Sequence, residues 1–324
     1  MRLVDRIPVL RFRSELRTER RLPRWVFHTP TYIQVEVVNR CNFSCIMCPI
    51  KELTAARPRK LLTVEEFAGI ARQFPSLRRV DLQGIGEPSL NPHLEEIVAW
   101  CATHAIEVGF VTNGVLLDRG RIRTLFAAGL SHIVFSMDSV DPEVYGRIRK
   151  GGRLDSLLEA IGHAVALRRE MRLEGPFIGI MAVAMKENLE FLPALVAGAA
   201  TLGVDALTIK GLNTGPNPEQ APSGVPGVVE RIQAAAAANP SLPVTIAVES
   251  NPGRLRCRWP WTAAYVTAEG YLTPCCNCPD SRVLSLGNLH RTGFRKLWNA
   301  KAYREFRKEL KNGMPEICTT CPDY

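Results

Sequence analysis

No stretch of this 324-residue chain is long and apolar enough to cross a bilayer. The longest apolar runs, such as Phe191 to Leu202, are too short or too interrupted for the roughly 20 residues a spanning helix needs. The N-terminus, Met1-Arg2-Leu3-Val4-Asp5-Arg6, lacks the apolar centre of a secretory signal, so a cytoplasmic location is expected. Low-complexity tracts are missing, as are internal repeats beyond a β/α alternation. The net charge is +9, yet aromatic residues are not interleaved with the basic ones. That removes the stacking platform of a single-strand nucleic-acid surface, and no nucleic-acid partner is expected. Residues 1–25 hold eight arginines against Asp5, Glu15 and Glu19, which reads as a solvated basic extension over residues 1–30. The apolar (46%) and charged (23%) fractions are those of an ordinary globular protein, long enough for one large domain or two.

Cysteine, by contrast, is in excess. Ten thiols are many for a reducing compartment, where they point to metal or redox chemistry more than to disulfides. Three lie within residues 41–48 and six between Cys257 and Cys321, while Cys101 stands alone in a helical pattern as a small core residue. The first group runs Asn39-Arg40-Cys41-Asn42-Phe43-Ser44-Cys45-Ile46-Met47-Cys48-Pro49, with C-x3-C-x2-C spacing directly after a β-prone run. Three thiolates so close together suit an iron–sulfur cluster. A cubane has four irons, so three protein ligands leave one iron open to a substrate or cofactor. A zinc knuckle is the plain alternative, although zinc sites usually present four ligands as paired C-x2-C units.

Periodicity predicts strands at Tyr32–Val38, Arg79–Gln83, Glu107–Thr112, His132–Met137, Pro176–Met185 and Ala206–Lys210. Helical patterns fill Val64–Gln73, His93–His104, Arg119–Ala128, Pro142–Ile148, Leu154–Leu173 and Leu189–Gly203. Thr63 with Glu66 forms a capping-box signature, and Gly129 stops a helix. Six β/α units imply parallel strands with right-handed crossovers, an α/β fold curled into a partial (β/α)6 TIM-type barrel. Ligands in such folds sit at the C-terminal strand ends, where the Cys41–Cys48 loop lies. A Pro-, Gly- and Ala-rich stretch follows, with a helix near Val228–Ala238 and a strand at Val244–Val248. A boundary near Asn251-Pro252-Gly253 divides a barrel over residues 31–252 from a small cysteine-rich domain over 253–324, which ends in a basic helix, Phe294–Leu310.

The C-x3-C-x2-C run resembles the signature of the radical S-adenosylmethionine (radical SAM) superfamily. The resemblance implies a [4Fe–4S] cluster on Cys41, Cys45 and Cys48 whose open iron binds the amino and carboxylate groups of SAM. Reductive cleavage then yields a 5′-deoxyadenosyl radical. Gly84-Ile85-Gly86-Glu87-Pro88 resembles the family's G-G-E-P element, which contacts the SAM amino group, with Ile85 inserted between the glycines. Ser136 and Arg149 match the positions that bind the SAM ribose and carboxylate, a bidentate task suited to a guanidinium. Asn113 faces adenosine or substrate, and Lys210 points to the same face. Cys257, Cys275, Cys276, Cys278, Cys318 and Cys321, with Trp259, Gly270, Gly287-Asn288-Leu289 and Trp298, resemble a SPASM/twitch C-terminal domain. Six cysteines fit one closed auxiliary [4Fe–4S] cluster, on Cys257, Cys275, Cys318 and Cys321. Either Cys275 or Cys276 is the ligand; if it is Cys275, the Cys276 thiol is free to give a hydrogen atom to a substrate radical.

The resemblance implies hydrogen abstraction from a carbinol carbon of a hydroxylated small molecule: an aminoglycoside, an aminocyclitol or a sugar. Epimerisation and dehydrogenation are both open outcomes. A maturase of a ribosomally made peptide is the alternative, and a non-catalytic iron–sulfur electron carrier is the reading furthest from it. A ferredoxin or flavodoxin is the expected electron donor, and an acidic one suits a basic chain.

Overall fold

The computed structural model describes residues 25–214, 218–221, 227–248 and 257–321. The basic segment before residue 25 and the boundary at Asn251-Pro252-Gly253 lie outside the described residues. Nine strands form one sheet: β1 (Tyr32–Val35), β2 (Arg79–Asp81), β3 (Glu107–Thr112), β4 (His132–Ser136), β5 (Phe177–Ala184), β6 (Ala206–Gly211), β7 (Val244–Ala247), β8 (Ala263–Val266) and β9 (Leu272–Thr273). Their order is β7-β6-β5-β4-β3-β2-β1-β8-β9. All neighbours are parallel except the terminal pair β8 and β9. The six-unit barrel expected from the pattern is therefore present, extended by β7 at one edge and by β8 and β9 at the other. The mostly parallel sheet and the cysteine-rich C-terminal segment together make the partial TIM-type architecture.

Short local rules place the crossovers. Thr63 accepts from the Glu66 amide while Glu66 accepts from the Thr63 amide, so the helix Val64–Ala71 opens on a closed capping box. Asp118 and Asp141 cap the helices Arg119–Ala127 and Pro142–Ile148 through their carboxylates. Gly129 has φ +94°, which ends the first of these at no steric cost. On β1, Ile33 and Val35 are fully buried in the main hydrophobic core while Gln34, between them, lines the central cavity.

The strand expected over Tyr32–Val38 stops at Val35 because the backbone changes partners. Leu62 donates to the Val37 carbonyl and Val38 bridges to Leu61, so these residues no longer pair with β2. The helix expected over Phe294–Leu310 is two helices, Phe294–Trp298 and Lys301–Asn312. Asn299 interrupts them, its side-chain amide exchanging two hydrogen bonds with the backbone of Val26. No helix among the described residues is long and apolar enough to cross a membrane.

Candidate functional site

The cysteine loop is clamped at its base and along its length. Asn39 is fully buried; its side chain donates to Pro58 O and Glu269 Oε1 and accepts from the Lys60 amide. Arg40 donates to the carbonyls of Asn39 and Arg57. Further on, Ser44 N donates to Lys150 O (2.9 Å) and Ile46 N to Ile148 O (3.0 Å), so the loop lies along residues 148–150. That pairing holds Arg149 against the cysteines: its Nη1 lies 3.8 Å from Cys45 Sγ and its Nε donates to Asp138 Oδ2 at 2.6 Å. Asp138 is wholly buried and also accepts from Val183 N, which fixes the guanidinium.

Cys41, Cys45 and Cys48 line one cavity of about 790 Å³ at the C-terminal strand ends. Donors converge on their sulfurs. Phe43 N points to Cys41 Sγ (3.4 Å), and Asn113 Nδ2 lies 4.0 Å from the same sulfur while donating to Asn42 Oδ1. The Tyr145 hydroxyl, near enough to Cys45 to feel its charge, is buried without a hydrogen-bond partner. Burial pushes the Cys41 thiol up to about 12 and the Cys48 thiol up to about 11, and it raises Cys45 against the pull of Arg149. Iron binding must therefore displace protons from all three. Among the described residues no three His, Cys, Asp or Glu side chains converge on a single-ion site. The fit to a cluster rests instead on the half-buried thiol trio and the donors aimed at it.

Gly84, Gly86, Glu87, Asn113, Ser136 and Arg149 all line this cavity, as do Lys210 and Cys276. The two glycines are also hemmed in by the chain's own atoms. A Cβ on Gly84 would strike the Glu36 side chain and the Tyr265 hydroxyl, and one on Gly86 would strike the Val38 carbonyl. Both are glycine because the chain's own atoms occupy that space. Glu87 is 4% exposed, and its carboxylate accepts from Ser89 N, Ser89 Oγ, Thr112 Oγ1 and Asn113 N. It thus orients Asn113 and the end of β3.

The second cysteine group divides by direction. Cys276 and Cys278 line the cavity; Cys257, Cys275, Cys318 and Cys321 do not. Burial raises the Cys275 thiol well above its ordinary value, and the charges of Cys276, Cys257, Cys278 and Cys321 add to it. Burial likewise pushes Cys318 up to about 12, with Cys321 and Cys278 beside it. Asn277 Nδ2 donates to Cys321 Sγ at 3.3 Å, tying the 275–278 turn to the C-x2-C turn. The Tyr303 hydroxyl is buried without a partner, close enough to Cys275 and Cys257 to feel both. A phenol stranded beside two thiols is a donor that suits a cluster's sulfur.

One ion network joins the two halves. Arg57 pairs with Glu36, after β1, and with Glu269, after β8 (2.7 Å). Glu36 also accepts from Ile85 N and Ala268 N, and burial raises its carboxyl despite Arg57. Sequence reasoning missed Glu36, Arg57 and Glu269. A carboxylate in the β-prone run Tyr32 to Val38 was the available signal for the first; the partners arrive 21 and 233 residues later, where no local pattern marks them.

The superfamily profile described as Radical SAM superfamily matches residues 35–189, and the SPASM profile, an iron–sulfur cluster-binding domain, matches residues 257–322. The chain belongs to the radical SAM superfamily. Its cofactors are accordingly SAM, a SAM-binding [4Fe–4S] cluster and an auxiliary cluster in the SPASM-type domain. A tungsten-containing aldehyde ferredoxin oxidoreductase cofactor-modifying protein of Pyrococcus furiosus is 32% identical over 185 residues, covering 56% of this chain and 51% of that one. GTP 3′,8-cyclase 1 of Pseudomonas aeruginosa is 33% identical over 194 residues, covering 57% and 55%. The matched region is about half the length of each relative. Among solved structures, Streptococcus suis SuiB bound to S-adenosylmethionine superposes with TM-score 0.72 at 16% identity, over 87% of this chain and 68% of that one. anSMEcpe with bound AdoMet gives 0.64 at 17%, over 86% and 83%. At such identities the two structures show that this radical SAM protein shares their fold.

Proposed function

We propose that this radical SAM enzyme removes a hydrogen atom from a carbinol carbon of a hydroxylated small molecule and returns one from the opposite face, inverting the centre. The observation that carries the reading is the direction of Cys276. Cys276, with Cys278, lines the cavity that Cys41, Cys45 and Cys48 also line, while Cys257, Cys275, Cys318 and Cys321 do not line it. We assign the first three as ligands of the SAM-binding cluster and the last four as ligands of the auxiliary cluster. Bound SAM and its cluster supply a 5′-deoxyadenosyl radical. Asn113, Ser136 and Arg149 hold SAM, with Gly84 and Gly86 shaping the wall and Glu87 orienting Asn113.

Cys276 then breaks its S–H bond and forms the new C–H bond, leaving a thiyl radical. One electron from an external one-electron donor of the ferredoxin or flavodoxin class, and one proton, restore the thiol. Without that return the same abstraction would end in dehydrogenation, the carbon radical losing its hydroxyl proton to solvent and passing one electron to the auxiliary cluster that Cys257, Cys275, Cys318 and Cys321 would hold.

SuiB has been crystallised with its precursor peptide SuiA, and the cyclases are named for GTP. The cavity of about 790 Å³ must take SAM and its cluster as well as the substrate, and the space left over favours a small molecule over a peptide. The test uses reconstituted, reduced holoenzyme with SAM in D2O, offered kanamycin, 2-deoxystreptamine and UDP-glucose. Wild type should make 5′-deoxyadenosine and an epimer carrying deuterium, and Cys276→Ala should make 5′-deoxyadenosine without epimer. Unchanged epimerisation by Cys276→Ala sinks the donor, and a ketone from wild type replaces epimerisation with dehydrogenation.

A further inference from the structure

Of the five charged side chains that line the cavity, Glu52, Glu87, Arg149, Lys210 and Asp280, three have partners within the chain. Arg149 is paired with Asp138, Asp280 with Arg282, and the Glu87 carboxylate accepts from Ser89, Thr112 and Asn113. Glu52 is exposed on the short helix Ile50–Thr54, where water and salt screen it. Lys210 is left over. It is half-buried, and among the described residues its ammonium has neither an ion pair nor a hydrogen bond. That ammonium is not sealed from water, so a ligand in the cavity can reach it.

The strand explains how the lysine comes to be there. On β6, Leu207 and Ile209 are fully buried in the main core, which turns the alternate residues Thr208 and Lys210 to the barrel interior. The in-register neighbours of Lys210 are Val183 on β5 and Ala247 on β7, and neither can offer a negative charge. Lysine is seldom withdrawn from water without a counter-charge, because desolvating the ammonium costs free energy that a paired anion offsets. Lys210 also stands apart from the residues assigned to SAM. β6 lies two strands beyond β4, which carries Ser136, or about 10 Å across the sheet at about 4.8 Å per strand.

We propose that Lys210 anchors an anionic group of the substrate, a phosphate or a carboxylate, so that this chain takes a negatively charged hydroxylated molecule in preference to a polyamine. This rests on the hydroxylated-substrate reading above and narrows it: a sugar phosphate, nucleotide sugar or uronic acid fits, and an aminoglycoside or aminocyclitol does not. An ammonium brings three donors, a full positive charge and no acceptor. The oxygens of a phosphate or carboxylate meet all of these, whereas a protonated amine would meet only repulsion. The anchored group takes no part in the chemistry. Its binding energy serves to place the carbinol carbon.

The test is calorimetric, on holoenzyme with SAM present and no reductant, so that nothing turns over. Wild type, Lys210→Met and Lys210→Arg are titrated with UDP-glucose, glucuronic acid, kanamycin and 2-deoxystreptamine; SAM affinity and thermal unfolding are measured on the same samples. UDP-glucose carries phosphate and glucuronic acid carboxylate, so whichever binds wild type names the anion. Lys210→Met, which keeps the stem and drops the charge, should weaken that probe about tenfold or more. Lys210→Arg, which keeps the charge, should stay within about threefold of wild type. SAM affinity and the unfolding temperature should hold in both, because Lys210 has no partner in the described chain to lose. Equal binding by wild type and Lys210→Met overturns the anchor alone. So does loss of SAM affinity in place of probe affinity, an equal loss in Lys210→Arg, or binding of kanamycin or 2-deoxystreptamine with neither anionic probe bound. If none of the four binds wild type, the hydroxylated-substrate reading falls and the anchor with it.

Discussion

The two cysteine groups are alike in composition and opposite in exposure to the cavity. The first presents all three thiols to it, with a guanidinium, an amide side chain and a backbone N–H gathered on the sulfurs. In the second, Cys257, Cys275, Cys318 and Cys321 are half-buried and do not line the cavity, burial raises the Cys275 thiol well above its ordinary value, and Cys276 and Cys278 are on the cavity side. A cluster meant to hold SAM needs an iron the cavity can reach, whereas one that only passes electrons is better enclosed. The direction of the thiols therefore separates the two roles more clearly than their number does.

The largest effects should come from removing one group at a time. Cys41→Ala should abolish 5′-deoxyadenosine formation and reduce iron from about eight to about four per chain. Cys318→Ala should lose the same iron and still cleave SAM. Equal loss of cleavage in both would erase the distinction.

Within the second group, Cys275→Ala should drop iron to about four per chain while Cys276→Ala stays near eight. Iron loss in Cys276→Ala would instead make Cys276 the ligand and Cys275 its packed neighbour.

On the first group, Arg149→Met strands the wholly buried Asp138 without its guanidinium. Breaking a buried pair in this way should cost about 3–5 kcal/mol in urea denaturation, and a loss under about 1 kcal/mol would show that Asp138 is satisfied elsewhere.

The smallest effects belong to the stranded phenols. Tyr145→Phe should lower the potential of the first cluster and Tyr303→Phe that of the second. A hydrogen bond of about 1 kcal/mol corresponds to about 40 mV for one electron. Spectroelectrochemistry in which each variant moves only its own cluster sharpens the comparison; movement of neither removes both tyrosines from the cluster environments.

How much of this was legible follows from how local each signal is. The C-x3-C-x2-C run and the glycine turn are each contiguous in sequence and sit where strands end, and the resemblance to the radical SAM superfamily led from them to Ser136 and Arg149. Arg149 illustrates the limit. Its presence in a charged run was visible, but its grip on Asp138 depends on the cysteine loop lying along residues 148–150. The pairing of β1 with β8 was invisible for a stronger reason: the edge of β1 is covered by a strand more than 200 residues later, and no pattern within either segment names the other. The same distance hid the Glu36–Arg57–Glu269 network. The broken helix at Asn299 was missed because its cause is the backbone of Val26, at the far end of the chain.

The most direct test of the division between the groups is low-temperature EPR of two reduced variants titrated with SAM. Cys318→Ala retains the cluster on Cys41, Cys45 and Cys48; its spectrum should shift as SAM binds. Cys41→Ala retains the auxiliary cluster, and its spectrum should not change. A SAM-dependent shift in Cys41→Ala, or none in Cys318→Ala, would contradict the assignment of the open iron to the first group.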